Sequence, residues 1–269
     1  MSDKKKMNAP APHSEGKGPG GGANKHAVFL LHGFLGRGDD WAEIAQHLEP
    51  DFRVLAPDLP GHGGAVGLPP SAYTMDGAAD DLFQSLDIED IHKASVVGYS
   101  MGGRLALHLA LRHPNRVERL MLLSASPGLC TDEERAARRA EDQRRADEIE
   151  VNLEGFLERW YRMPLFGSLD ESTREALIAT RSQNNPAELR RSLEGMGTGA
   201  QPSHWQRLHQ IRVPAWAVAG ADDAKFVEIA NRIAETPSFN AVVVPDASHA
   251  LLNERPEYVA SLLRNLLFH

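Results

Sequence analysis

Ser100 lies in Val96-Val97-Gly98-Tyr99-Ser100-Met101-Gly102-Gly103-Arg104, where a Val-rich run ends in Gly, an aromatic, Ser and two more Gly. An amphipathic segment, residues 105–113, follows at once, so the stretch reads as strand, sharp turn and helix. Gly98-x-Ser100-x-Gly102 has the spacing of a nucleophile elbow, in which small neighbours let strand and helix approach closely and push the hydroxyl into the open. Taken alone it also fits a glycine-bearing turn of any βα unit. A serine hydroxyl is a weak nucleophile or base at neutral pH unless an imidazole takes its proton, and the imidazole needs a carboxylate to fix its tautomer. His249, in Pro245-Asp246-Ala247-Ser248-His249, offers the first. Asp222 and Asp223 both offer the second, and charge alone does not choose between them.

These residues need a scaffold that delivers them to one place. Ala27-Val28-Phe29-Leu30-Leu31 and Arg53-Val54-Leu55-Ala56-Pro57 read as strands buried on both faces of a parallel sheet. A helical period over 73–86, a strand over 94–97, the elbow helix and a strand over 117–123 continue a βαβαβα alternation. It predicts an α/β fold with helices on both faces of a mostly parallel sheet. The character then changes. Residues 131–150 are densely charged, with Glu134/Arg138 and Glu141/Arg145 spaced for i,i+4 pairs. Shorter helical patterns follow over 153–161, 172–181 and 186–195, and strands resume only at 215–219 and 241–244. The expected organisation is therefore a core of residues 26–126 and 212–269, with a helical cap of residues 127–211 inserted between two strands. Each acid or base candidate lies just past the carboxyl end of a strand, where open α/β sheets form their crevice. The turn His32-Gly33-Phe34 after the first strand makes the Phe34 N–H a candidate oxyanion donor, with the Met101 N–H as the second. Asp58 and His62 read as parts of a Pro/Gly turn, and the histidines other than His249 as surface or loop residues.

Composition narrows the function. The 269 residues carry a net charge of −8 and are 42% hydrophobic, enough for a sizeable core and unsuited to a nucleic-acid or anionic-membrane surface. No apolar run approaches the ~20 residues of a membrane span. A single cysteine, Cys130, forms no internal disulfide and points to a reducing cytoplasm. Residues 1–25 are rich in Pro, Gly and Lys and are expected to be a disordered tail dispensable for function. No His/Cys/Asp cluster has metal-ligand spacing, so neither metal nor cofactor is expected.

The order Ser100, Asp223, His249 resembles the α/β-hydrolase fold, and the Gly-x-x-Asp spacing common there selects Asp223. More narrowly, six stretches resemble the 2-succinyl-6-hydroxy-2,4-cyclohexadiene-1-carboxylate synthases, lyases of menaquinone biosynthesis. They are Leu31-His32-Gly33-Phe34-Leu35-Gly36, the elbow through Arg104, Ser126-Pro127-Gly128-Leu129 with residues 133–138, residues 159–166, Arg181-Ser182-Gln183-Asn184-Asn185, and Asp223-Ala224-Lys225-Phe226. The likeness runs from Val28 onward; its cap stretches are the informative part, because the elbow is shared by the whole superfamily. It implies a small polycarboxylate substrate from which pyruvate is eliminated. Ser100 would act as base, Arg104, Arg138 and Arg181 would bind carboxylates, and Tyr99 and Trp160 would line the pocket. The residues themselves say less. Arg104 stands one helical turn after Ser100 on the same face. Arg138 equally fits a solvated face with Arg135, Arg139, Arg144 and Arg145, Arg181 a helix-end cation, and Trp160 a core aromatic. The alternatives are a serine esterase or carbon–carbon bond hydrolase using the same triad with water, and a catalytically silent binding protein of the same fold.

Overall fold

The computed structural model describes residues 25–268. The tail expected over 1–25 lies, Lys25 apart, outside them. Six strands form one all-parallel sheet in the order β2-β1-β3-β4-β5-β6. They are β1 (Ala27–Leu31), β2 (Arg53–Leu55), β3 (Ala94–Tyr99), β4 (Val117–Leu123), β5 (Ala215–Gly220) and β6 (Phe239–Val244). The core helices are α1 (Ala42–Leu48), α2 (Met75–Ile88) and α3 (Met101–Arg112). Four more, α4 (Asp132–Val151), α5 (Leu153–Trp160), α6 (Glu171–Arg181) and α7 (Pro186–Met196), lie between β4 and β5. The chain closes with α8 (Ala224–Ile233), α9 (Leu251–Glu254) and α10 (Pro256–Phe268).

Side-chain alternation along each strand builds the two layers. Phe29, Leu31, Val96, Leu120, Leu122 and Ala217 pack against α2, α3 and α8 on one face. Val28, Leu30, Val97, Met121, Leu123 and Val218 pack against α1, α9 and α10 on the other. The helices between β4 and β5 have an apolar cluster of their own, with Ile149, Phe156, Leu157, Ile178 and Leu189 closing over Leu35 and Ala250 of the core. Among the described residues no helix is long and apolar enough to cross a membrane.

Three sequence expectations change. The second strand is not fully buried: β2 has only three residues, all half-buried, because it forms the sheet edge. Glu134 does not pair with Arg138. Its carboxylate turns back to accept the Thr131 N–H at 2.9 Å while Thr131 Oγ1 accepts the Glu134 N–H at 3.1 Å, a reciprocal cap of α4. Arg138 reaches the other way to Asp142 at 2.7 Å, whereas Glu141 and Arg145 do pair, at 2.9 Å. Finally, His32, His62, His108 and His204 are buried rather than superficial. Each has a hydrogen-bond partner in another segment, a contact that local sequence does not display: His32 with Leu59, His62 with Leu35, and His108 with His204.

Candidate active site

Ser100 occupies the step from β3 to α3 with φ 51° and ψ −109°, a backbone region that L-residues enter at a cost of roughly 1–3 kcal/mol. Its backbone groups are held, the N–H donating to Leu123 O at 2.8 Å and the carbonyl accepting from Arg104 N at 3.0 Å. The flanking glycines make the step feasible. A Cβ at Gly98 would overlap the Gly102 carbonyl, and one at Gly102 would overlap that of Leu31.

His249 follows β6, in a loop tied by the Glu254 carboxylate, which accepts from Ser248 N at 2.6 Å and Ser248 Oγ at 2.8 Å. Phe226, Tyr99 and Phe166 surround the imidazole, the nearest ring centroid at 4.7 Å. Asp223 caps α8, one carboxylate oxygen accepting from Phe226 N at 3.3 Å. Its other oxygen lies 2.9 Å from His249 Nδ1, and His249 Nε2 lies 3.1 Å from Ser100 Oγ. A carboxylate at Nδ1 keeps the proton there, so Nε2 is the face that accepts the serine proton. Asp222 is exposed and directs only its backbone N–H toward this loop, to Ala247 O at 2.9 Å.

The orientation of the Phe34 N–H is set through the carbonyl of its own peptide, that of Gly33. Gly33 O accepts from His32 Nδ1 at 2.8 Å and from Gly36 N at 3.0 Å. In a planar trans peptide that carbonyl and the Phe34 N–H point in opposite directions, so anchoring one aims the other. His32 Nε2 accepts from Leu59 N at 2.9 Å, which fixes the Nδ1–H tautomer. Burial pushes the His32 imidazole down to about 4 and the His62 imidazole down to about 3, so both are neutral at pH 7. The Met101 N–H belongs to the first turn of α3, where no intrahelical acceptor exists. Among the described residues neither N–H donates to another protein group.

Ser100 and His249 open onto a hollow of about 620 Å³. It is lined by Phe34, Tyr99, Met101, Arg104, Arg138, Trp160 and Arg181, so the candidate site residues meet there apart from the two aspartates, of which Asp223 stands behind His249 and Asp222 points away. Arg104 donates to neutral acceptors, Met196 O at 2.8 Å and Gln201 Oε1 at 3.4 Å. Burial, and then the Arg138 charge, lowers its pKa to about 10, which leaves it cationic. Arg138 is paired with Asp142 at 2.7 Å, and the buried Arg181 with Asp40 at 2.7 Å. Burial works against the Arg181 charge, but Tyr161 and Asp40 more than offset it and hold its pKa above the ordinary value.

Arg145, Lys225 and Arg232 line the hollow as well and were not singled out. Arg145 is not on the solvated face where the sequence reading put it: its guanidinium lies over the Trp160 ring, 5.4 Å from the centroid. The available signal was spacing, since Arg145 follows Arg138 by two helical turns on one face, as Arg232 follows Lys225. Six cationic side chains thus face the hollow against the carboxylates of Asp40 and Glu134, on a chain of net charge −8. Such a concentration selects an anionic ligand, and guanidinium forks match carboxylates.

Known proteins resemble this chain over most of its length. The profile of the family described as alpha/beta hydrolase fold matches residues 26–256. The 2-succinyl-6-hydroxy-2,4-cyclohexadiene-1-carboxylate synthase of Enterobacter sp. (strain 638) is 34% identical over 241 residues, 89% of this chain and 91% of its own. The same-named protein of Serratia proteamaculans (strain 568) is 34% identical over 92% of this chain and 95% of its own. Among solved structures, MenH from S. aureus superposes with a TM-score of 0.86 at 28% identity, covering 91% of this chain and 96% of its own. A thermophilic esterase from Thermogutta terrifontis, solved with malate bound, gives 0.80 at 27% identity over 91% and 90%.

Proposed function

This chain belongs to the 2-succinyl-6-hydroxy-2,4-cyclohexadiene-1-carboxylate synthases of the α/β-hydrolase fold, and from that premise we propose which residues carry the reaction. The protein is a lyase of menaquinone biosynthesis that eliminates pyruvate from 2-succinyl-5-enolpyruvyl-6-hydroxy-3-cyclohexene-1-carboxylate. The observation that carries the residue assignment is the Ser100–His249–Asp223 relay opening onto a hollow lined by arginines.

The succinyl group joins the ring through a ketone, so the ring hydrogen beside it is the acidic one. Ser100 Oγ, its own proton accepted by His249 Nε2, takes that hydrogen, and Asp223 stabilises the imidazolium that results. Negative charge develops on the ketone oxygen, where the Phe34 and Met101 N–H groups receive it. Each such donor contributes roughly 10²–10³ in rate. The electron pair then forms a double bond at the succinyl-bearing carbon, the ring double bond shifts one position, and the carbon–oxygen bond to the enolpyruvyl group breaks. The enolate that leaves takes up a proton and becomes pyruvate. No water is consumed and no electrons are gained or lost, so the step asks nothing of a redox cofactor. Arg104, Arg138 and Arg181 hold the substrate's carboxylates, and Tyr99 and Trp160 pack against its ring. The single Cys130, free of any disulfide, and a small-molecule substrate support a reducing, cytoplasmic setting for this work.

Supplying the enolpyruvyl-bearing precursor and following pyruvate release together with the conjugated diene absorbance tests the assignment. Esterase activity is the second reading, favoured by the likeness to the Thermogutta esterase. It predicts turnover of neutral esters that is indifferent to the arginines.

A further inference from the structure

Leu35 follows the proposed oxyanion donor Phe34 and has φ 69°, a left-handed conformation that a γ-branched residue does not hold unaided. Two side chains from distant segments clamp it. Its N–H donates to His62 Nε2 at 3.1 Å, and its carbonyl accepts from Asn184 Nδ2 at 3.0 Å. Asn184 lies just past α6, in the helical segment between β4 and β5. Its Oδ1 accepts from Gly63 N at 3.2 Å, so one amide joins two core loops. The amide orientation follows from its partners, because only Nδ2 can donate to a carbonyl and only Oδ1 can accept from an N–H. Three residues earlier on the same segment, Arg181 pairs with Asp40 at the far end of the Phe34 loop.

We infer that Asn184 is a positioning residue: by fixing the Leu35 carbonyl it aims the Gly36 N–H of the same peptide at Gly33 O, and so helps keep the Gly33–Phe34 peptide in the orientation that serves the oxyanion, the helical cap contributing to catalysis through a core loop it does not belong to. Without the amide donor, Leu35 relaxes out of the left-handed region. The Leu35–Gly36 peptide turns with it, the Gly36 N–H leaves Gly33 O, and the Gly33–Phe34 peptide that carries the Phe34 N–H loses one of its two anchors. The relation rests on the proposed function, since it requires a developing oxyanion next to Ser100.

The test uses Asn184→Asp, which keeps size and the acceptor to Gly63 but loses the donor to Leu35, and Asn184→Ala, which loses both. Steady-state diene formation, the rate of Ser100 labelling by a fluorophosphonate and thermal unfolding are measured for each. The labelling reaction also places an oxygen in the oxyanion site. Both variants should lose roughly tenfold to a hundredfold in kcat and in labelling rate, as a small misplacement of a reacting group does. KM should stay within about twofold. Either variant behaving like wild type, or KM rising while labelling is unchanged, overturns the inference. A wild type that neither turns over nor is labelled overturns the functional reading and this role with it, whereas an active wild type with unaffected variants overturns this role alone.

Discussion

Arg104 Nη1 stands 2.8 Å from the carbonyl oxygen of Met196, so a half-buried cation one turn after Ser100 is met by neutral acceptors and not by a carboxylate. A guanidinium in that state has charge to give to a ligand, whereas Arg138 and Arg181 already face Asp142 and Asp40.

Replacing Arg104 by Ala should therefore lower kcat/KM on the polycarboxylate substrate by about 10–100-fold, the worth of one or two charge-assisted hydrogen bonds. Activity on a neutral p-nitrophenyl ester should change little. Equal losses on both substrates, measured side by side, would favour the esterase reading.

The choice between adjacent aspartates is now a kinetic prediction. Asp223→Asn, which loses the acceptor that fixes the His249 tautomer, should cost about 10³–10⁴ in kcat. Asp222→Asn, at an exposed side chain, should remain within about twofold of wild type. The reverse order in a simple rate assay would move the third member to Asp222.

Much of this was legible beforehand because the signals are local. Runs rich in Val and Leu mark β1, β3 and β4, the apolar Ala215–Gly220 run marks β5, and 3.6-residue periodicity marks α2 to α7. Glycine spacing around Ser100 marks the elbow, since it reflects a close approach of neighbouring backbone. What sequence did not display depends on segments far apart in the chain. Asp222 and Asp223 differ only in which one the His249 loop meets. His32, His62 and Asn184 act on backbone groups 27 to 149 residues away or hold a loop of another segment. At Glu134 two local rules compete for one side chain, and the α4 N-terminal cap prevails over i,i+4 pairing.

The buried imidazoles give the fold a pH dependence whose sign is fixed. Their folded pKa values, about 4 for His32 and about 3 for His62, lie below the ordinary 6.5. The unfolded chain therefore binds more protons below pH 6.5, so the stability from keeping them neutral is complete above that pH and is lost as pH falls toward 4 and 3. Urea midpoints should begin to drop near pH 6.5, above the range where most carboxylates titrate, and a His62→Gln variant should show a shallower slope from pH 7 to 5. Identical slopes for the two proteins would remove His62 from the account.

Breaking the ion pair between Asp40 and Arg181 should be costly, because Arg181 is 5% exposed and would keep its charge with only Tyr161 beside it. Asp40→Ala is expected to lower unfolding free energy by about 3 kcal/mol, the scale seen when one partner of a buried pair is removed. A polycarboxylate ligand should restore part of the loss by supplying the missing anion. Denaturant titration with and without such a ligand reads both effects.

The central claim is that Ser100 starts an elimination within this hollow. It is tested most directly by giving the enolpyruvyl-bearing cyclohexene precursor to wild type and to Ser100→Ala while recording pyruvate and diene together. Wild type should release one pyruvate for each diene formed, and the variant should lose about 10³-fold or more of that rate. Absence of pyruvate and diene with wild type, or a Ser100→Ala variant that keeps its rate, would contradict the account.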